Sequence, residues 1–100
     1  MDLNNKTAVV TGGGNGIGKA LCVALATAGA KVVVADIELE AAMAVKTQLD
    51  ANGRQSIAVQ VDVSDESSVI ALRDAAVETF GSVDILVNNA GVMHATKPLF

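Results

Sequence analysis

The stretch Thr11-Gly12-Gly13-Gly14-Asn15-Gly16-Ile17-Gly18 constrains this chain more than any other. It follows a short apolar run, Thr7-Ala8-Val9-Val10, and opens onto an alanine-rich segment from Ala20 to Ala28. That order predicts strand, glycine loop, helix. The start of a helix leaves backbone N–H groups without partners and carries the positive end of the helix dipole. Glycines let a phosphate come close to those groups, because no Cβ intervenes and positive φ costs little. A turn that only packs helix on strand would not need so many glycines. The stretch reads as a phosphate cradle.

Spacing decides which cradle. The dinucleotide pattern G-x-G-x-x-G fits no frame: Gly12 and Gly14 lead to Ile17, and Gly14 and Gly16 lead to Lys19. The nucleotide-hydrolase loop G-x-x-x-x-G-K-[ST] has Gly13, Gly18 and Lys19 in place, but position 20, where a hydroxyl should hold Mg²⁺, is Ala20. The pattern T-G-x-x-x-G-x-G is met in full by Thr11, Gly12, Gly16 and Gly18. Here the chain resembles the short-chain dehydrogenase/reductase family, whose cofactor loop has this form.

Strands and helices alternate along the rest of the chain. Lys6 to Thr11 and Lys31 to Asp36 read as buried strands, apolar without alternation. A first helix is expected from Gly16 to about Ala28, with Ile17, Leu21, Leu25 and Ala28 as its apolar stripe and Gly29 as its stop. Cys22, beside that stripe, reads as a small core residue. A second helix is expected from Glu38 to Asn52, burying Ala42, Val45 and Leu49. A third strand spans Ser56 to Asp62. Ser64 is the expected N-cap of a third helix whose inward face is Val69, Leu72, Ala76 and Phe80, ending at Gly81. Asp84 to Val87 forms a fourth strand, running into Asn88-Asn89-Ala90-Gly91. This alternation implies an α/β fold with a doubly wound parallel sheet. Right-handed crossovers give the order 3-2-1-4, with ligands expected at the carboxyl ends of the strands, near the switch point between strands one and four.

Composition removes several classes of function. The net charge is −4 and the basic residues are scattered, which offers no stripe for nucleic acid or an anionic membrane. No apolar run approaches the roughly 20 residues of a membrane helix, and Met1-Asp2-Leu3-Asn4-Asn5 lacks the basic start of a secretion signal. A single cysteine demands no oxidising compartment. A cytoplasmic location is the expectation. The fourth strand would keep a bare edge in a sheet that ended at Phe100, so the chain reads as the N-terminal part of one longer nucleotide-binding domain.

Asp36 ends the second strand, 36 − 12 = 24 residues after the first glycine of the motif. A carboxylate there can accept hydrogen bonds from ribose hydroxyls and would repel a 2′-phosphate, so it favours NAD over NADP. The bland reading of Asp36 is an N-cap for the second helix. Asn88-Asn89-Ala90-Gly91 alone would be a turn, but it also matches the dehydrogenase family, at 88 − 12 = 76 residues from Gly12. The resemblance implies that Gly12, Gly14, Asn15, Gly16, Ile17 and Gly18 hold the pyrophosphate and nearby ribose of NAD. It places Asp36 and Ile37 at the adenosine, Asp62 and Val63 at the adenine, and Asn89, Ala90 and Gly91 at the inner ribose. No metal site is implied. Lys19 is expected to face solvent, and His94 has no assigned role.

The resemblance further implies an oxidoreductase that moves a hydride between NAD(H) and a small-molecule alcohol or carbonyl substrate, working as a homo-oligomer at full length. The family's catalytic Tyr and Lys follow this region, and the 100 residues contain no Tyr. No catalytic residue is therefore assigned. The rival readings are a dinucleotide-binding module without catalysis and a nucleotide hydrolase.

Overall fold

The computed structural model describes residues 2–89 of the chain. Seven elements alternate: β1 (Thr7–Thr11), α1 (Gly16–Thr27), β2 (Lys31–Asp36), α2 (Leu39–Ala51), β3 (Ser56–Gln60), α3 (Glu66–Phe80) and β4 (Ile85–Asn88). The four strands form one parallel sheet in the order β3-β2-β1-β4, as the alternation predicts. β1 lies in the middle, with Val9 opposite Val33 of β2 on one side and Leu86 of β4 on the other.

Helices cover both faces of the sheet, which is why β1 and β2 are apolar at almost every position. Ala8 and Val10 of β1 and Val32 and Val34 of β2 point to one face, where Cys22 and Ala26 of α1 and Ala42, Val45 and Leu49 of α2 close the core. Val9, Val33 and Ala35 point to the other, against Val69, Leu72 and Ala76 of α3, with Phe80 packed at the rim. Each fully buried Val or Leu stabilises the fold by roughly 1.5–3 kcal/mol, so this two-sided burial holds the central strands in register. α3 does not reach across β4. Leu86, on that second face, is 37% exposed and lines an open groove with Arg73, Val77, Val83 and Asp84.

Two helical details differ from expectation. The buried residues of α1 are Gly18, Cys22 and Ala26, while Ile17 is 73% exposed. The stripe is rotated by one position from Ile17-Leu21-Leu25-Ala28, of which Leu25 still packs partly against the core. Small residues win the inward face because α1 lies very close to the sheet and loop, where large side chains have no room. At α3, Asp65 and not Ser64 is the N-cap, its carboxylate accepting from Ser67 N–H at 3.0 Å. Ser64 is engaged by Asp62 instead, donating from both its N–H and its hydroxyl to Asp62 Oδ1.

The amino ends of β1 and β4 are clasped by Asp84. Its Oδ2 accepts from Thr7 N–H at 2.9 Å, and its own N–H donates to the Thr7 carbonyl at 2.9 Å. The Thr7 N–H, then the Ser82 hydroxyl, hold the Asp84 carboxyl below its ordinary 3.8, with Lys6 and Lys31 adding to the effect. A lowered folded-state pKa means that the stabilisation is present above 3.8 and is lost as pH falls through the folded value. Asp84→Ala is therefore expected to lower the urea midpoint at pH 7 and to flatten its decline between pH 4 and pH 2. Equal acid slopes in both proteins would show that the clasp does not contribute.

Candidate functional site

Because all four strands run parallel, their carboxyl ends share one edge of the sheet. Adjacent strands lie about 4.8 Å apart, so the edge is roughly 14 Å across. In spatial order it carries Asp62 and Val63 after β3, Asp36 at the end of β2 with Ile37 after it, the glycine loop after β1, and Asn88 and Asn89 at the end of β4. The sheet therefore brings together residues that the sequence scatters between positions 11 and 89. Ala90, Gly91 and His94 lie outside the described residues.

The glycine loop is drawn onto the end of β2. Gly13 N–H donates to the Ala35 carbonyl at 2.9 Å, and Gly14 N–H donates to Asp36 Oδ2 at 3.0 Å. The chain turns through positive φ at Gly12 (67°) and again at Gly16 (56°), conformations that residues with a Cβ rarely adopt. α1 then begins at Gly16, capped by Asn15 in extended conformation, whose side chain makes no capping hydrogen bond. No acidic residue stands in the first turn of α1. The positive end of this helix is thus not neutralised by its own side chains, which suits an incoming anion. At Gly18 the packing is tightest: a Cβ there would sit 1.9 Å from the Gly12 carbonyl oxygen and 2.7 Å from Asn89 Nδ2.

Asp36 is 8% exposed and serves both neighbours. Oδ2 accepts from Gly14 N–H, and Oδ1 accepts from Glu38 N–H at 3.0 Å. It is not the N-cap of α2; Glu38 occupies that position, without a side-chain capping bond. The turn after β2 places Asp36 two residues before the cap position, so its carboxylate bridges the glycine loop and the Glu38 N–H. Ile37 is 61% exposed, and its carbonyl accepts from Gln60 Nε2 at 3.1 Å. Asp62 is exposed and held below the usual carboxylate range by the Ser64 hydroxyl, then by the Ser64 N–H. Its own N–H donates to Ser68 Oγ at 2.9 Å. Val63 packs against the core of the second face.

On the other side of the loop, Thr11 joins β1 to β4. Its hydroxyl accepts from Asn89 N–H at 3.0 Å and lies 3.2 Å from Asn88 Oδ1 and 3.3 Å from the Val87 carbonyl, either of which can take its proton. Asn89 Nδ2 donates to the Gly12 carbonyl at 3.5 Å. The adjacent amides thus both engage the end of β1 and the residue after it. The parts played by Thr11 and Gln60 were not legible. Thr11 is marked only as the opening residue of T-G-x-x-x-G-x-G, and Gln60 only by its polarity after an apolar run. Beneath the loop, Cys22 is buried, its Sγ 3.8 Å from the Gly13 carbonyl, and burial pushes its thiol up to about 12. It is packing, as expected. Lys19 faces solvent, also as expected.

Chemically, the edge offers open N–H groups at a helix start, a buried carboxylate with spare acceptor capacity, and two exposed isoleucines, Ile17 and Ile37. That set fits an extended phosphate ester with sugar hydroxyls and flat apolar ends. Comparison with known proteins agrees. Residues 6–99 match the family described as short chain dehydrogenase. The chain is 47% identical over 91 residues to 7alpha-hydroxysteroid dehydrogenase of Escherichia coli K12, covering 91% of this chain and 36% of that protein. It is 44% identical over 97 residues to 3beta-hydroxysteroid dehydrogenase 2 of Eggerthella lenta, covering 97% of this chain and 37% of that one. Among solved structures, 7 alpha-hydroxysteroid dehydrogenase complexed with NADH and 7-oxo glycochenodeoxycholic acid matches with a TM-score of 0.89 at 46% identity, over 91% of this chain and 36% of that one. The chain thus spans just over a third of the length of these relatives.

Proposed function

We propose that this chain, which belongs to the short chain dehydrogenase family, is the NAD(H)-binding part of an oxidoreductase acting on an alcohol or carbonyl compound. The observation that carries the reading is the Asp36 carboxylate, buried at the end of β2 against the glycine loop. A carboxylate has about four acceptor positions; the N–H groups of Gly14 and Glu38 take two, which leaves two for a ribose diol. A 2′-phosphate at that position would meet the negative charge, so NAD is preferred to NADP. The relative bound to NADH supports the same choice.

In this reading Gly12, Gly14, Asn15, Gly16, Ile17 and Gly18 hold the pyrophosphate and adjoining ribose. Asp36 and Ile37 frame the adenosine, and Asp62 and Val63 the adenine. Asn89, with Ala90 and Gly91, borders the inner ribose. When bound, the cofactor supplies a hydride acceptor or donor at nicotinamide C4. The work of these residues is to bind and orient it: the α1 N-terminus neutralises phosphate charge, and the Thr11–Asn89 bond fixes the width between β1 and β4. The same reading takes the whole protein to be a cytoplasmic homo-oligomer. Among the described residues, no helix is long and apolar enough to cross a membrane.

A matched pair of titrations tests the reading, NADH against ATP with Mg²⁺. NADH is expected to bind more tightly, with no requirement for the metal. Tighter binding of ATP that depends on Mg²⁺ would overturn it in favour of a nucleotide hydrolase.

A further inference from the structure

Gly14 has no free side on which to grow. A Cβ built there would lie 2.7 Å from the Ala41 Cβ, 2.9 Å from the Ala41 carbonyl carbon and 3.0 Å from Asp36 Oδ2. The glycine loop therefore rests directly on the first turn of α2, at the small side chain of Ala41. The loop cannot slide along this seat, because Gly13 and Gly14 are bonded to Ala35 and Asp36. Beneath it there is little room for even a methyl: a Cβ at Gly13 would be 3.1 Å from Cys22 Sγ, the Val10 carbonyl oxygen and Val34 Cγ1. Bulk added to the half-buried Ala41 on the side that faces Gly14 lifts the loop away from α2.

We propose that Ala41 is a positioning residue for the dinucleotide, its methyl group setting how high the glycine loop stands above the sheet edge. The inference rests on the NAD(H) reading above. No residue of α2 beyond its approach to Asp36 figured in that reading, and Ala41 touches the cofactor only through Gly14. Packed interiors pass on displacements of this kind because they hold few voids. A methyl is tolerated at 41 because Gly14 carries none. The two positions are complementary, and enlarging either closes the same gap.

The test compares NADH affinity, by fluorescence titration of the purified protein, in wild type, Ala41→Gly, Ala41→Val and Ala44→Val. Valine branches at Cβ and is held largely to one χ1 rotamer in a helix, so its γ carbons are not free to rotate away from Gly14. Ala44 is exposed on the same helix, so Ala44→Val carries the same change in helix propensity without the contact. The expected result is at least tenfold weaker NADH binding for Ala41→Val, with Ala41→Gly and Ala44→Val within about twofold of wild type. Unfolding midpoints of the two valine variants are expected to lie close together, which separates loop height from general stability. Wild-type affinity in Ala41→Val, or an equal loss in Ala44→Val, would overturn the inference. If wild type itself fails to bind NADH, the functional reading falls first, which is a different and recognisable outcome.

Discussion

Gly18→Ala is expected to destabilise the protein by about 3 kcal/mol, at the upper end of overpacking costs, and to abolish measurable NADH binding. The reason is not backbone conformation, since Gly18 lies within a helix. It is distance: the new Cβ would sit 1.9 Å from the Gly12 carbonyl oxygen and 2.7 Å from the Gly12 carbonyl carbon. Backbone atoms cannot step aside as a flexible side chain would, so α1 must move off the loop. The carbonyl that is struck is also the acceptor for Asn89 Nδ2, so the β4 side of the edge would be disturbed as well. Gly16 gives the contrast. It has φ of 56° but open space around a built Cβ, so Gly16→Ala should cost only the left-handed strain of roughly 1 kcal/mol. Urea unfolding of both variants, with NADH titration, tests the account. Equal destabilisation would show that the close approach of α1 to Gly12 is not what demands glycine.

Asp36→Ala carries the second large effect, and it has two separable parts. Removing the carboxylate leaves the N–H groups of Gly14 and Glu38 without their acceptor. The Gly14 bond is buried, and an unsatisfied buried donor costs about 1–3 kcal/mol. Loosening the loop should weaken NADH and NADPH alike. Loss of ribose recognition should weaken NADH alone, while loss of the negative charge relieves repulsion of a 2′-phosphate. The expected outcome is at least a tenfold fall in NADH affinity, with the preference for NADH over NADPH falling by a similar factor. Titrating both cofactors against both proteins reads the parts separately. An unchanged ratio would mean that Asp36 holds the loop and does not select the cofactor.

The architecture was legible because its signals are collective. Continuous apolar strands, helices of regular period and glycine stops converge on one strand order, and local errors do not alter it. Individual contacts were less so. The α1 stripe was misplaced because periodicity weighs Ile17 and Leu25 above Gly18 and Ala26, whereas the close approach to Gly12 admits only small residues. Asp65 took the cap from Ser64 because Asp62 claims Ser64, a competition between side chains that spacing does not reveal. Asp36 was found by its position relative to the glycines, but its bond to Gly14 depends on where the loop folds back. Thr11, Gln60 and Ala41 act through neighbours distant in sequence; the glycine motif marks Thr11 without revealing its bond to Asn89, and no local pattern marks Gln60 or Ala41.

The bond from Asn89 to Thr11 spans 78 residues, and this sets a schedule for synthesis. At about 5–20 residues per second, the ribosome needs roughly 4–16 s to pass from one partner to the other. Until then β1 can pair with β2 but has nothing on its other side. An apolar parallel strand with one open edge is a template for intermolecular pairing, and pairings this distant in sequence form slowly even when both strands are available. The nascent chain therefore passes through a sticky interval that ends only when β4 docks. Crowded expression at high temperature is the condition under which that interval costs the most protein.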